Sequence, residues 1–112
     1  MQEIDAIIEN ATRLQKELEP AYAKALKELA EAEYAYKQAN ANHYLRSEGT
    51  VNERSAIAVQ GSKEELERKL LAEARRDFLK VKIEDARQVM SAYQSILSAH
   101  SRNVTATGRY TP

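Results

Sequence analysis

His43 and His100 are the only imidazoles in this 112-residue chain, and it contains no cysteine. A zinc site needs three or four ligand atoms within about 2 Å of one ion. Two imidazoles and no thiolate fall short of that set, and in an antiparallel pair of helices they lie toward opposite ends. Only an antiparallel dimer that joined His43 of one copy to His100 of the other would revive the idea. The expectation is no metal and no cofactor. Glu28, Glu31, Glu64, Glu65, Glu67, Glu73 and Glu84 stand among lysines and arginines on polar helix faces. General acid–base work needs carboxyls of shifted pKa in a cleft, whereas these read as solvated charges. No phosphate-cradling glycine loop, nucleophile elbow or dinucleotide fingerprint occurs. The chain is therefore read as a non-enzyme.

The remaining chemistry-bearing pattern is basic. Lys69, Arg76, Lys80 and Arg87 fall within about 40° of one another on a helix turning about 100° per residue. Arg102 and Arg109 carry the charge onward. Such a row suits a phosphate backbone, with Tyr44 or Tyr110 to stack on bases. Against that use, Glu65, Glu73, Asp77 and Glu84 stand three or four residues from these cations, the spacing of ordinary surface ion pairs. The solvated-face reading carries more weight. Tyr22, Tyr36, Tyr44 and Tyr93 fit core or interface packing, while Tyr34 lies off the main apolar seam and is a candidate partner contact.

These residues must be positioned by helices. Ile4, Ile7, Ile8, Ala11, Leu14 and Leu18 recur at helical steps, and the pattern resumes after Pro20 with Tyr22, Ala25, Leu26, Leu29, Ala32, Tyr36, Ala39 and His43. Pro20 predicts a kink, or a break and restart near Glu19. Ser47-Glu48-Gly49 predicts the helix end, with Gly49 in the left-handed region. Thr50-Val51-Asn52-Glu53 and Ser62-Lys63-Glu64-Glu65 both match the capping box, framing a short helix from Val51 to Gln60 and a long one from Lys63 to Ala99 or His100. Residues 1–100 are expected to form a single helical domain and 101–112 a flexible C-terminal tail.

The long last helix carries two apolar seams. Leu71, Ala74, Phe78, Val81, Val89, Ala92 and Ile96 make the first, interrupted by Asp85. Leu79, Ile83, Ala86, Met90, Tyr93 and Leu97 make the second. Together they cover roughly 200° of the helix, twice the stripe of an ordinary surface helix. One antiparallel neighbour cannot hide that much. Either the segment before Pro20 folds back as a third helix, or a second copy covers the rest. The second seam is the predicted partner or oligomer interface, and Asp85 is read as reaching solvent at a seam edge rather than fixing register.

Composition narrows the class. Lysine plus arginine and aspartate plus glutamate each number 17, so no whole-molecule field steers the chain to nucleic acid or anionic lipid. Three glycines, two prolines and no tryptophan leave Ala, Leu, Ile, Val and Tyr to build the core. No uncharged run approaches the ~20 apolar residues of a bilayer span, and Met1-Gln2-Glu3-Ile4-Asp5 lacks the basic start of a signal peptide. The expectation is a cytoplasmic protein without a membrane partner.

The segment Tyr44-Leu45-Arg46-Ser47-Glu48-Gly49-Thr50-Val51-Asn52-Glu53-Arg54, an Ala-rich short helix and a long helix ending Tyr93-Gln94-Ser95-Ile96-Leu97-Ser98 resemble small helical-hairpin proteins of tailed bacteriophages. The likeness covers roughly residues 22 to 101. Those proteins are mostly of unassigned function, and similar genes often lie near replication and recombination genes. The resemblance implies an accessory protein in the host cytoplasm, with no catalytic residues to carry over.

The reading at this point is all-α: an antiparallel long-helix hairpin with a short connecting helix, kinked or broken at Pro20, and oligomeric. The function expected of it is non-enzymatic, a scaffold that forms a homo-oligomer and binds a protein partner. The alternatives are a single-stranded nucleic-acid accessory acting in recombination or replication, and an inhibitor of a host defence protein.

Overall fold

The computed structural model describes residues 2–110, with side chains described for residues 2–102. Three helices follow one another: α1 (Gln2–Arg46), α2 (Val51–Gly61) and α3 (Lys63–Tyr110), with no strand among the described residues. The acids Glu3 and Asp5 in the first turn of α1, and Glu64 and Glu65 in that of α3, sit where the positive ends of the helix dipoles favour them. His43 and Arg46 occupy the opposite, negative end of α1.

Two boundaries differ from those read in the sequence. α1 continues through Pro20, so the break and restart near Glu19 does not occur. An interior proline costs about 3 kcal/mol and removes one hydrogen bond, but it does not end a helix whose turns on both sides keep their seam covered. α3 runs on to Tyr110, so residues 101–110 continue the helix beyond Ala99 and His100. No proline interrupts this stretch and its glycine comes only at Gly108, so no strong breaker stands at the expected end.

The chain divides into two compact units. The first comprises residues 21–79, that is, the later part of α1, all of α2 and the start of α3. Here α1 and α3 run in opposite directions: Glu28 on α1 meets Arg75 on α3 at 3.6 Å, and farther along α1 the Tyr36 ring lies 5.3 Å beneath the Lys69 ammonium. Ala25, Leu29, Ala32, Ala58 and Leu79 are buried. Alanines at three of these five positions leave little side-chain bulk between the helices. The second unit comprises Met1–Pro20 and Lys80–Pro112, with Ala11, Ile83 and Ala86 buried.

One spacing recurs among the covered positions of each long helix. On α1 the buried or half-buried Ala11, Gln15, Leu18, Tyr22, Ala25, Leu29, Ala32, Tyr36, Ala39 and His43 alternate steps of four and three. On α3 the same alternation runs Glu65, Lys69, Ala72, Arg76, Leu79, Ile83, Ala86, Met90, Tyr93 and Leu97. Alternating steps of four and three are the spacing that heptad seams use.

Candidate functional site

The corner between α1 and α2 is where local chemistry is densest. Gly49 takes φ 115°, the left-handed region in which an L side chain is strained, as the sequence predicts. The Thr50 hydroxyl accepts a hydrogen bond from the Glu53 backbone N–H at 3.2 Å and starts α2. Arg54 then reaches back: its Nε and Nη2 donate to the Tyr44 carbonyl at 3.3 and 3.1 Å, and its guanidinium lies 4.3 Å from the centre of the Tyr44 ring. The Ser47 hydroxyl donates to the same carbonyl at 2.9 Å. One carbonyl left over at the end of α1 thus gathers three side-chain donor atoms. The Tyr44 face offered by sequence for base stacking is occupied by Arg54.

The second capping box does not form. Fully buried Ser62 donates its hydroxyl back to the Ala58 carbonyl, and its own N–H goes to the same atom at 3.1 Å. Ser62 therefore closes α2 rather than capping α3 with its side chain. Beside it, Gly61 packs against His43 so tightly that an added Cβ would lie 2.7 to 2.9 Å from three ring atoms. His43 is half-buried at this corner, whereas His100 is exposed near the far end of α3. Among the described residues no group of three or more His, Cys, Asp or Glu is placed to hold a metal ion.

Three of the carboxylates singled out by sequence form ion pairs, within a helix or between α1 and α3. Glu28 meets Lys24 at 3.9 Å and Arg75 at 3.6 Å, Glu67 meets Lys63 at 4.0 Å, and Glu73 meets Lys69 at 3.8 Å. Glu28 and Glu31 face Arg68 and Arg75 around an open hollow of about 430 Å³ floored by Ala32 and Ala72. Its lining carries two acids and two bases.

The basic row is divided by the packing. Lys69, its side chain 28% exposed, and Arg76, 34% exposed, lie on the heptad stripe of α3 that meets α1. Lys69 is engaged by Glu73 and Tyr36, and Arg76 by Asp77 at 2.9 Å. Lys80, Arg87 and Arg102 are exposed, and Arg102 donates to the Ser98 carbonyl at 3.4 Å. The side chains of Arg109 and Tyr110 lie outside the described residues. Tyr34 is 64% exposed, and its hydroxyl accepts a hydrogen bond from Gln38 at 2.8 Å.

Of the two apolar seams of α3, the second, read in the sequence as a partner interface, is the one covered within the chain. Leu79, Ile83 and Ala86 are buried and Met90, Tyr93 and Leu97 half-buried, within the chain's own packing. Three of the six residues read as a partner interface are thus buried within the chain. The first seam is the uncovered one. Leu71, Phe78, Val81, Val89 and Ile96 are between 38% and 73% exposed, and Ala74 and Ala92 are exposed with them. Asp85 is exposed on the same seam, at the rim of an apolar hollow of about 350 Å³ lined also by Ile7, Ala11, Leu14, Lys82 and Val89. No family model matches the chain, and no curated protein or solved structure matches it.

Proposed function

We propose that this protein is a non-enzymatic interaction module: a helical hairpin, bent at Pro20, that associates with itself through the uncovered face of α3 and presents the assembled helices to a protein partner. The observation that carries this reading is the run Leu71, Phe78, Val81, Val89 and Ile96, large apolar side chains each more than a third exposed on one helix. Scattered exposed apolar residues are ordinary, but a contiguous apolar stripe marks an interaction surface. Burying five such side chains from their present exposure is worth roughly 4 to 8 kcal/mol per helix. Association itself costs about 4 to 15 kcal/mol. A pairing in which both surfaces bring such a stripe doubles the gain, which favours self-association over docking on a polar surface.

The phage resemblance supports an accessory role in a host cytoplasm, and the chain holds no helix long and apolar enough to cross a membrane among its described residues. Sedimentation equilibrium over a hundredfold range of concentration tests the reading. The expected result is a reversible dimer or higher oligomer that Phe78→Glu and Val89→Glu each dissociate, with far-UV helicity retained. A wild-type chain that stays monomeric throughout would overturn it.

A further inference from the structure

The open hollow of about 430 Å³ lies wholly within the compact unit of residues 21–79, and its two edges differ in sign. α1 supplies Glu28 and Glu31, whereas α3 supplies Arg68, Leu71 and Arg75. The acidic edge is thus all α1 and the basic edge all α3. Glu28 is engaged within its own chain, by Arg75 at 3.6 Å and by Lys24 at 3.9 Å. Glu31 and Arg68 are exposed and form no ion pair among the described residues. Leu71, 73% exposed, stands on the basic edge between the two arginines.

From this division of charge we infer that the hollow docks on the same hollow of a second copy, about a twofold axis parallel to α1 and α3. Such an axis sets α1 of each copy against α3 of the other, so the acidic edge meets a basic edge on both sides. Rotation about it leaves heights along the helices unchanged. At about 1.5 Å per residue, Glu31 lies about 4.5 Å beyond Glu28, and Arg68 about 10 Å beyond Arg75 in the same direction. Glu31 and the partner's Arg68 therefore stand about 6 Å from level, a gap that two long side chains span. Two such pairs form, one on each side of the axis, and both copies of Leu71 are covered with them. A twofold interface requires a self-complementary surface, and this hollow supplies one. The competing occupants do not fit as well. A twofold axis at right angles to the helices sets acids against acids and bases against bases. A partner helix of one sign meets its own sign on one edge, and an uncharged apolar helix desolvates Glu31 and Arg68 without a counter-charge, which is costly.

This inference rests on the self-association proposed above, and one set of charge variants separates the two. Arg68→Glu sets acid against the partner's Glu31 twice in a homodimer, and Glu31→Arg sets base against the partner's Arg68 twice. A mixture of the two variants restores both attractions between chains, while each chain keeps the altered charge within its own hollow. Recovery in the mixture therefore reports contact between chains rather than a fault inside one. By sedimentation equilibrium at low salt, each variant alone should dimerise about tenfold more weakly or worse, and the mixture should return to within about threefold of wild type. The direction of the effect reads the axis. Under the right-angled axis each single variant relieves a like-charged contact and should dimerise more tightly than wild type. Circular dichroism on each variant checks that the helices persist. A wild-type dimer whose single variants pair as tightly or more tightly, or whose mixture fails to recover, overturns this pairing and leaves self-association standing. A monomeric wild type overturns both.

Discussion

Gly61 and His43 form a contact that neither residue's own neighbourhood announces. A glycine at the end of a helix is ordinarily read as a stop signal, but Gly61 is the last residue within α2 and Ser62 is its cap. Its larger role is spatial, since a methyl group there would sit under 3 Å from the His43 ring. Gly61→Ala gains up to ~1 kcal/mol of helix propensity and loses about 1 to 3 kcal/mol to overpacking, so a net destabilisation of about 1 kcal/mol is expected in urea unfolding. His43→Ala should remove the clash, so the double variant should be destabilised by less than the two single effects added together. Where the bond is local, the sequence is a sufficient guide: Gly49 and Thr50 do what their types suggest, because a left-handed turn and an N-cap each need only a few adjacent residues. Ser62 shows where that stops. Its hydroxyl has a forward choice, the α3 backbone, and a backward one, the Ala58 carbonyl, and only the packed corner that buries it decides between them.

At the level of helices, the all-α class, the corner at Gly49 and the short helix before α3 were legible, while the continuity of α1 through Pro20, the extent of α3 and its choice of buried face were not. Counting apolar residues favours the stripe of Leu71 and Phe78, because the opposite stripe begins with Glu65, Lys69 and Arg76. Long charged side chains can nonetheless pack on a neighbour, as Lys69 does by setting its ammonium over the Tyr36 ring. The buried face is instead set by register with α1, whose alanines at 25 and 32 admit a close neighbour, and register is a property of the pair. Chemical denaturation at low protein concentration should separate the faces. Ile83→Ala, in the core, is expected to cost about 2 to 4 kcal/mol, and Val89→Ala, on the exposed stripe, under about 1 kcal/mol. Pro20 offers a second check, since it sits inside α1. Replacing it with alanine restores a donor and relieves a ring clash, so Pro20→Ala should raise the denaturation midpoint by the equivalent of about 1 to 3 kcal/mol.

For the molecule as a whole, the balance of charge and the uncovered apolar stripe make opposite demands on salt, and this discriminates between its two candidate activities. A protein that follows a phosphate backbone releases counterions, so its affinity falls steeply as salt rises. With formal net charge zero, and with Lys69 engaged by Glu73 and Tyr36 and Arg76 by Asp77, the exposed Lys80, Arg87 and Arg102 are the row's remaining members among the described side chains. Neutralising about three phosphates supports weak, salt-sensitive binding that Lys80→Glu with Arg87→Glu should abolish, read by fluorescence anisotropy of a labelled single-stranded oligonucleotide at 50 mM salt. Apolar association behaves otherwise. The dimer should persist, with little change in its dissociation constant, from about 0.3 M to 1 M salt, where screening has already removed most surface electrostatics. Because an oligomer stabilises the folded chain by mass action, the thermal midpoint should also climb with protein concentration. Phe78→Glu should flatten that dependence without lowering the midpoint of the dilute chain by more than a degree or two, since Phe78 is 61% exposed within the monomer. A midpoint independent of concentration in the wild type, together with oligonucleotide binding that survives Lys80→Glu and Arg87→Glu, would count against both readings at once.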